Sequence, residues 1–127
     1  MNIFNLTAPS LYRCHIFRYY NGLSRLYLRV FKGQQDIPAF YLLFSDVGYV
    51  DAPVTWQSAD FRIAPPDDCI ALLLQTGLIG QAILQFPDAY AAITENSNLY
   101  VVDTPHTPIR IIAGNVVLLP DISPDLK

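Results

Sequence analysis

The sequence lacks the short motifs that mark most cofactor and catalytic sites. It contains no glycine-rich dinucleotide or phosphate loop, no Gly-x-Ser-x-Gly nucleophile motif and no His-Glu-x-x-His zinc motif. Its two cysteines, Cys14 and Cys69, do not form a Cys-x-x-Cys pair and have no histidine at metal-ligand spacing. We therefore expect no metal, no cofactor and no catalytic constellation of a common type.

Charged residues are also scarce, at 15% of the 127 residues, whereas hydrophobic residues make up 52%. Intrinsic disorder requires the opposite balance. This length suits one folded unit, so we predict a single domain over residues 1–127. Because the mean hydropathy is +0.27, the surface must keep more apolar area than usual, which points to a partner. A homodimer is compatible with this expectation.

An export signal and a membrane span are not expected either. The first residues lack the basic segment and continuous apolar run of a secretory signal, so we predict a cytoplasmic protein with reduced thiols. No charged residue lies between Asp68 and Asp88, a stretch almost long enough to cross a bilayer. Gln75, Gln81 and Gln85, together with two glycines, favour buried helices of a soluble protein instead.

Apolar and aromatic patterning predicts strands on both sides of a helical block. Asn21-Gly22 lies between two strand-like runs and is typical of a hairpin turn. Pro65-Pro66-Asp67-Asp68 predicts a helix start, because proline suits the first turn and carboxylates favour the positive end of the helix dipole. The predicted strands are 11–20, 25–31, 39–44, 54–63, 99–102, 109–113 and 116–119, and residues 45–53 are predicted to form a turn or an irregular crossover. The first predicted helix ends at about Thr76, and two further helices cover 78–85 and 89–94.

This order, ββββ-ααα-βββ, predicts an α+β fold. We expect a mainly antiparallel sheet of about six to seven strands with short helices packed on one face. Gly114-Asn115 predicts a hairpin between the last two strands. The final residues, 120–127, contain two prolines and are expected to fray.

Basic charge is concentrated at the beginning of the chain. Residues 1–35 hold five basic residues and no acidic ones, so their net charge is +5. The other 92 residues, with three basic and eleven acidic residues, have a net charge of −8, which gives −3 for the whole chain. With a net negative charge, nucleic acid is not an expected partner. Side-chain alternation across the first hairpin predicts one face that combines arginines with aromatics. The residues of this face that we assign to partner binding are Tyr12, Arg18, Tyr20, Arg25, Tyr27 and Arg29.

The leading hypothesis is a non-enzymatic interaction module, an accessory or assembly factor that binds an acidic or extended protein segment. Arginine and tyrosine are enriched at interface hot spots. The competing interpretation of the same face is a solvated sheet surface on which arginine stems cover aromatic rings.

The alternative hypothesis is a small-molecule-binding protein or small enzyme. His106 lies in a proline-rich connector, a rigid position for a base. A general base also needs an orienting group, for which Asp60 or Asp103 is the candidate.

Overall fold

The computed structural model describes residues 2–126 and forms nine strands and two α-helices within them. The predicted α+β class is confirmed, and the strand pairs are antiparallel. The strands are β1 (Tyr12–Tyr20), β2 (Arg25–Lys32), β3 (Phe40–Ser45), β4 (Tyr49–Asp51), β5 (Thr55–Gln57), β6 (Arg62–Ile63), β7 (Asn98–Val102), β8 (Ile109–Ala113) and β9 (Asn115–Leu119), and the helices are α1 (Pro66–Gln75) and α2 (Ala89–Asn96).

These strands form two sheets, not the single sheet expected from the sequence. Sheet A has the strand order β5-β1-β2-β3-β9, and sheet B has the order β4-β8-β7-β6. Their facing sides enclose the main apolar core. Helix α1 covers the opposite side of sheet B, where Cys69, Leu72 and Leu73 pack with Leu99 and Val101. Sheet A, sheet B and α1 therefore form three layers.

The predicted fourth strand, residues 54–63, is divided between the two sheets. β5 pairs with β1 in sheet A, whereas β6 pairs with β7 in sheet B. Between them, Ser58 has a φ of 104°, and its hydroxyl accepts a hydrogen bond from the backbone N–H of Asp60. This local side-chain turn interrupts the extended backbone. A further strand, β4, forms in the segment predicted as a turn, which explains why the predicted strand count was too low.

The predicted hairpin at Gly114-Asn115 is wrong. β8 pairs with β4 and β7 in sheet B, whereas β9 pairs with β3 in sheet A, so the chain changes sheets at Gly114. A Cβ atom at this position would lie 3.1 Å from Cβ and Oδ2 of Asp46 and 3.3 Å from the carbonyl oxygen of Asn96. Glycine is favoured here because any side chain would press against Asp46 and the backbone of Asn96.

The hairpin between β1 and β2 is confirmed, with a four-residue loop between Tyr20 and Arg25. Within this loop Ser24, and not Gly22, has the positive φ of 50°. The register shifts between Ile16 and Arg18, where a β-bulge inserts one additional residue into β1. Such a bulge reverses the side-chain alternation of the residues that precede it relative to those that follow.

The bulge corrects part of the predicted hairpin face. Tyr12, Cys14 and Ile16 precede it and belong to the core between the sheets, not to the arginine face. Phe17, which uninterrupted alternation from Tyr12 would place on the face opposite to Tyr12, contacts the rings of Tyr27 and Tyr41 on the other side of sheet A from the core. We call that side, which faces away from sheet B, the outer face.

The helical block follows the prediction at its start and departs from it later. α1 begins at Pro66 and ends before Gly77, whose φ is 76°. The predicted second helix is a short 3-10 turn, Gln81–Gln85, and neither this turn nor α2 contains a buried residue. Phe86, between them, is 67% exposed. Of the helices within residues 2–126, none has the length and apolar character needed to cross a membrane.

The C-terminal segment contacts sheet A at its end. Ile122 is buried, and the carbonyl oxygen of Leu126 accepts a hydrogen bond of 2.9 Å from Nε of Arg18. Since β9 and β1 lie on either side of β2 and β3 in sheet A, residues 120–126 must pass from one to the other. Fraying of residues 120–127 stays a prediction, and Lys127 lies outside the described residues.

Gly114→Ala should lower the free energy of unfolding by about 1–3 kcal/mol, because the added methyl group meets backbone and Cβ atoms that cannot easily yield. Gly22→Ala is the matched control, since no atom lies within 4 Å of a Cβ there. It should change stability by less than about 0.5 kcal/mol. Urea denaturation of both variants measures the difference, and equal losses would contradict the close approach at Gly114.

Candidate functional site

Five of the six predicted partner-binding residues lie on the outer face of sheet A. Arg18 lies opposite Tyr27 and Tyr20 opposite Arg25, and Arg29 follows on the same side of β2. The sixth, Tyr12, lies on the core side, where its ring centroid is 5.6 Å from that of Phe40. The bulge explains why Tyr12, which precedes it, and Arg18 and Tyr20, which follow it, lie on opposite faces.

Part of this face is occupied by contacts within the protein. The rings of Tyr20, Tyr27, Phe17 and Tyr41 form a row with centroid separations of 5.9–6.1 Å, and Tyr27 is only 5% exposed. The guanidinium of Arg29 lies 4.4 Å from the centroid of Phe17. Tyr27 and Arg29 therefore stabilise the sheet, as the competing interpretation of this face expects.

Arg18 and Arg25 are the accessible cations of the outer face. Both side chains are exposed, and neither takes part in an ion pair within the described residues, where the two ion pairs are Arg62–Asp103 and Arg110–Asp51. Arg18 uses Nε to bind the carbonyl oxygen of Leu126, which leaves its terminal nitrogens available. An exposed, unpaired guanidinium is suited to a carboxylate from another molecule.

An apolar cleft lies beside the end of the hairpin that carries Arg18 and Arg25. It was not expected from the sequence. β1 pairs with β5 only at Arg13–His15, and its last backbone bond on that side runs from the N–H of Ile16 to the carbonyl oxygen of Val54. The preceding residues, β4, belong to sheet B. The chain thus diverges from β1 and opens a cleft of about 350 Å³. We call it the edge cleft; it is lined by Ile16, Tyr19, Leu26, Val47, Gly48, Tyr49 and Val50.

One sequence signal for the edge cleft was available. Pro53 interrupts a strand-like run and has no N–H for a sheet, so it favours a bend or a sheet edge. That signal marks where the chain turns. It does not identify the distant strands that line the cleft.

His106 lines a different cavity, of about 510 Å³, between β5 and the connection from β7 to β8. Trp56 lies in its wall and is 8% exposed, so we call it the Trp56 cavity. Neither predicted aspartate lines it. Asp60 accepts a hydrogen bond of 3.4 Å from the side chain of Asn2, and Asp103 belongs to a third cleft. The structure does not bring His106 together with either carboxylate.

Asp103 is held in an ion pair with Arg62, which donates from Nε and Nη2 over 3.0 and 3.2 Å. This hydrogen bonding lowers the pKa of Asp103 and raises that of Arg62. A carboxylate with a lowered pKa is a weaker base. The ion pair therefore makes Asp103 itself a poorer proton acceptor; the cleft that contains the pair has a volume of about 310 Å³ and lies between α1 and sheet B.

The thiols are unsuited to nucleophilic chemistry. Burial raises the pKa of Cys14 to about 12 and also raises that of Cys69, and only the thiolate is an effective nucleophile. Across residues 2–126, no group of three or more histidine, cysteine or acidic side chains is arranged to hold a metal ion.

Comparison with known proteins adds no identity to this geometry. No protein-family model, curated protein or solved structure matches the chain.

Arg29→Ala should lower the free energy of unfolding by about 0.5–1 kcal/mol, because it removes the cation–π contact with Phe17. Arg25→Ala removes the same charge at an exposed position without a ring contact and should cost less than about 0.5 kcal/mol. Urea denaturation distinguishes the two. If Arg25→Ala costs as much as Arg29→Ala, the division of this face into structural and accessible arginines is incorrect.

Proposed function

We propose that this protein is a non-enzymatic interaction module that binds an extended, acidic segment of a protein partner along the free edge of β1. The observation that carries the proposal is the position of the edge cleft. It combines an unpaired strand edge, an apolar floor and two exposed arginines at one end of the hairpin.

The backbone of β1 supports strand addition. No strand of the described chain pairs with Phe17–Tyr20 on the side away from β2. In a strand, the direction of the backbone groups alternates together with the side chains. Tyr19 has its side chain in the edge cleft, so its N–H and C=O point toward the open edge. Unpaired edges of this kind bind extended peptides through main-chain hydrogen bonds.

The side chains around the edge define the partner's chemistry. A strand added here alternates between two environments, since successive residues point to opposite faces. One set enters the edge cleft against Tyr19, Leu26 and Val50. The other set lies beside Arg18 on the outer face, with Arg25 one strand further away. An alternation of apolar and acidic residues fits both environments.

The enzyme alternative, the cellular location and the oligomeric state are separate parts of the hypothesis. The enzyme alternative has less support than the interaction module, because neither Asp60 nor Asp103 lines the cavity that contains His106. A cytoplasmic location belongs to the proposal and is supported by two buried cysteines without a disulfide. Homodimer formation is also compatible with it, and mass measurement in solution tests that point.

The test is a titration followed by amide chemical shifts. The probe is a blocked octapeptide of alternating aspartate and valine, with an alternating lysine and valine octapeptide as its charge-reversed control. We expect the acidic peptide to shift the amide signals of Phe17–Tyr20 in a saturable manner and to bind more weakly as salt is added. Equal binding of the lysine peptide, or shifts confined to other strands, would refute the proposal.

Two variants localise the binding. Arg18→Glu combined with Arg25→Glu should weaken the acidic peptide by about tenfold or more, because attraction becomes repulsion. Val50→Glu should weaken it comparably by placing a charge in the edge cleft. The control is Val117→Glu on β9: Val50 is 37% and Val117 38% exposed, but Val117 lies at the opposite edge of sheet A. Loss of binding in the control as well would indicate a non-specific effect.

A further inference from the structure

β9 is an edge strand that is paired on one side only. Its neighbour in sheet A is β3, with Tyr41 opposite Leu119 and Ser45 opposite Asn115. In the described part of the chain no strand lies on its other side, and no hydrogen bond from another segment reaches its backbone there. In an antiparallel ladder, alternate residues direct their N–H and C=O groups away from the paired neighbour. β9 therefore presents a row of unpaired backbone groups.

This edge lacks the features that protect exposed strand edges. Natural sheets keep such edges short, or place charges, prolines or bulges on them. The other edge strands follow this rule, since β4 and β5 have three residues each and β6 has two, and β4 and β6 contain Asp51 and Arg62. β9 has five residues, Asn115–Leu119, with no charge, no proline and an unbroken register against β3. An unprotected edge of this kind favours pairing with another strand.

The side chains of β9 leave apolar surface open on both faces of the sheet. Val117 and Leu118 are exposed, and they point to opposite faces because successive residues alternate. Val116 packs against the core, so Leu118 is on the core side as well, whereas Val117 is on the outer face. A strand added here gains apolar contacts on both faces in addition to main-chain hydrogen bonds.

The charge distribution favours a second copy of this chain as the added strand. No charged residue lies between Arg110 and Asp121 or, around the neighbouring β3, between Asp36 and Asp46. The chain as a whole has a net charge of −3, so two copies repel each other where their acidic surfaces meet. β9 and β3 contribute no charge to this repulsion. A charged partner would gain no ion pair from these two strands, in contrast to the edge cleft beside Arg18.

The sequence of β9 is also complementary to itself. Two copies related by a two-fold axis pair identical edge strands antiparallel. With the axis at Val117, this residue lies opposite its own counterpart on the outer face. Val116 then lies opposite Leu118 on the core side. Asn115, the polar residue of the strand, lies opposite Leu119 at each end of the interface, so the centre of the interface is apolar.

From these features we infer that β9 is the interface of a homodimer, in which the two copies join their five-stranded sheets into one continuous sheet. The inference assigns a surface and a register to a homodimer, which the proposed function only allows. This interface lies at the opposite edge of sheet A from β1 and the edge cleft, so it does not depend on the peptide site.

The molar mass of the full chain in solution tests this inference. Sedimentation equilibrium should give twice the 14.3 kDa of one chain, and added salt should not dissociate the dimer, since no charges pair across β9. Hydrogen exchange should show alternate amides of β9 becoming more protected as the protein concentration rises. A mass of one chain at about 1 mM protein, where even a weak dimer forms, or assemblies larger than two copies would overturn the inference.

A pair of charge variants tests the position of the two-fold axis. Val117→Glu should weaken dimer formation by about tenfold or more, because two carboxylates then lie directly opposite each other. Val117→Lys should do the same with two ammonium groups. An equimolar mixture of both variants should form a heterodimer, since glutamate then lies opposite lysine, and this recovery also shows that both variants fold. A mixture that stays monomeric contradicts the pairing at Val117.

Val50→Glu is the matched control, since Val50 is nearly as exposed as Val117 but belongs to β4. It should leave the dimer intact although it weakens the acidic octapeptide. Val117→Glu should do the opposite, dissociating the dimer while the octapeptide still shifts the amides of Phe17–Tyr20. If Val50→Glu dissociates the dimer as well, the interface does not lie at β9. The two proposals can therefore fail independently.

Discussion

One additional residue in β1 decides what the surface of sheet A presents. Without the bulge, Tyr12, Cys14 and Ile16 would share a face with Arg18, and the core between the sheets would lose three of its members. The bulge lets the first half of β1 fill that core while the second half places Phe17 and Arg18 outward. Bulges are used in this way where a strand must serve two environments and where side chains are re-aimed at functional surfaces. The bulge is therefore the reason why the first half of β1 packs in the core and the second half presents side chains on the outer face.

The edge cleft and the Trp56 cavity both form along the segment from β4 to β5. This segment begins at the edge of sheet B and ends at the edge of sheet A, with Pro53 between. Before Val54 the segment lies away from β1, and the edge cleft is open there. From Val54 onward it pairs with β1, Trp56 enters the core, and the Trp56 cavity forms between β5 and the connection that carries His106. A chain that passes between sheets leaves gaps that a continuous strand would close, and binding sites are commonly found in such gaps.

The elements that were predicted correctly from the sequence are those that nearby residues determine. Pro66 and the following carboxylates define the start of α1, and Gly77 ends it through its own backbone conformation. The hairpin also follows from neighbouring residues. Reasoning failed where the determinants are distant in sequence. The change of sheets at Gly114 depends on close contacts with Asp46 and Asn96, which no pattern around Gly114 can reveal, because a turn between two strand-like runs is compatible with either pairing.

The same distinction holds for the site. Side-chain alternation along β2 and the end of β1 correctly placed Arg18, Tyr20 and Arg25 on one face, since no bulge separates them. The bulge at Phe17 was not foreseen, and it removed Tyr12 from that face. The edge cleft combines Ile16 of β1 with Val50 of β4, and the Trp56 cavity combines β5 with the connection to β8. These combinations arise only from the packing of the two sheets.

In the proposed complex, the charge distribution would give the accessible arginines a specificity that their number alone would not. The residues beyond the first 35 carry a net charge of −8, so most of the surface repels an acidic segment. The hairpin is then the region that such a segment can approach, and long-range steering and local pairing favour the same place. Repulsion elsewhere would disfavour other modes of binding in that complex, which gives specificity when the attractive contacts are few. An apolar cleft alone would accept many peptides; under the proposal, its position beside Arg18, on a molecule that is otherwise acidic, would restrict the choice.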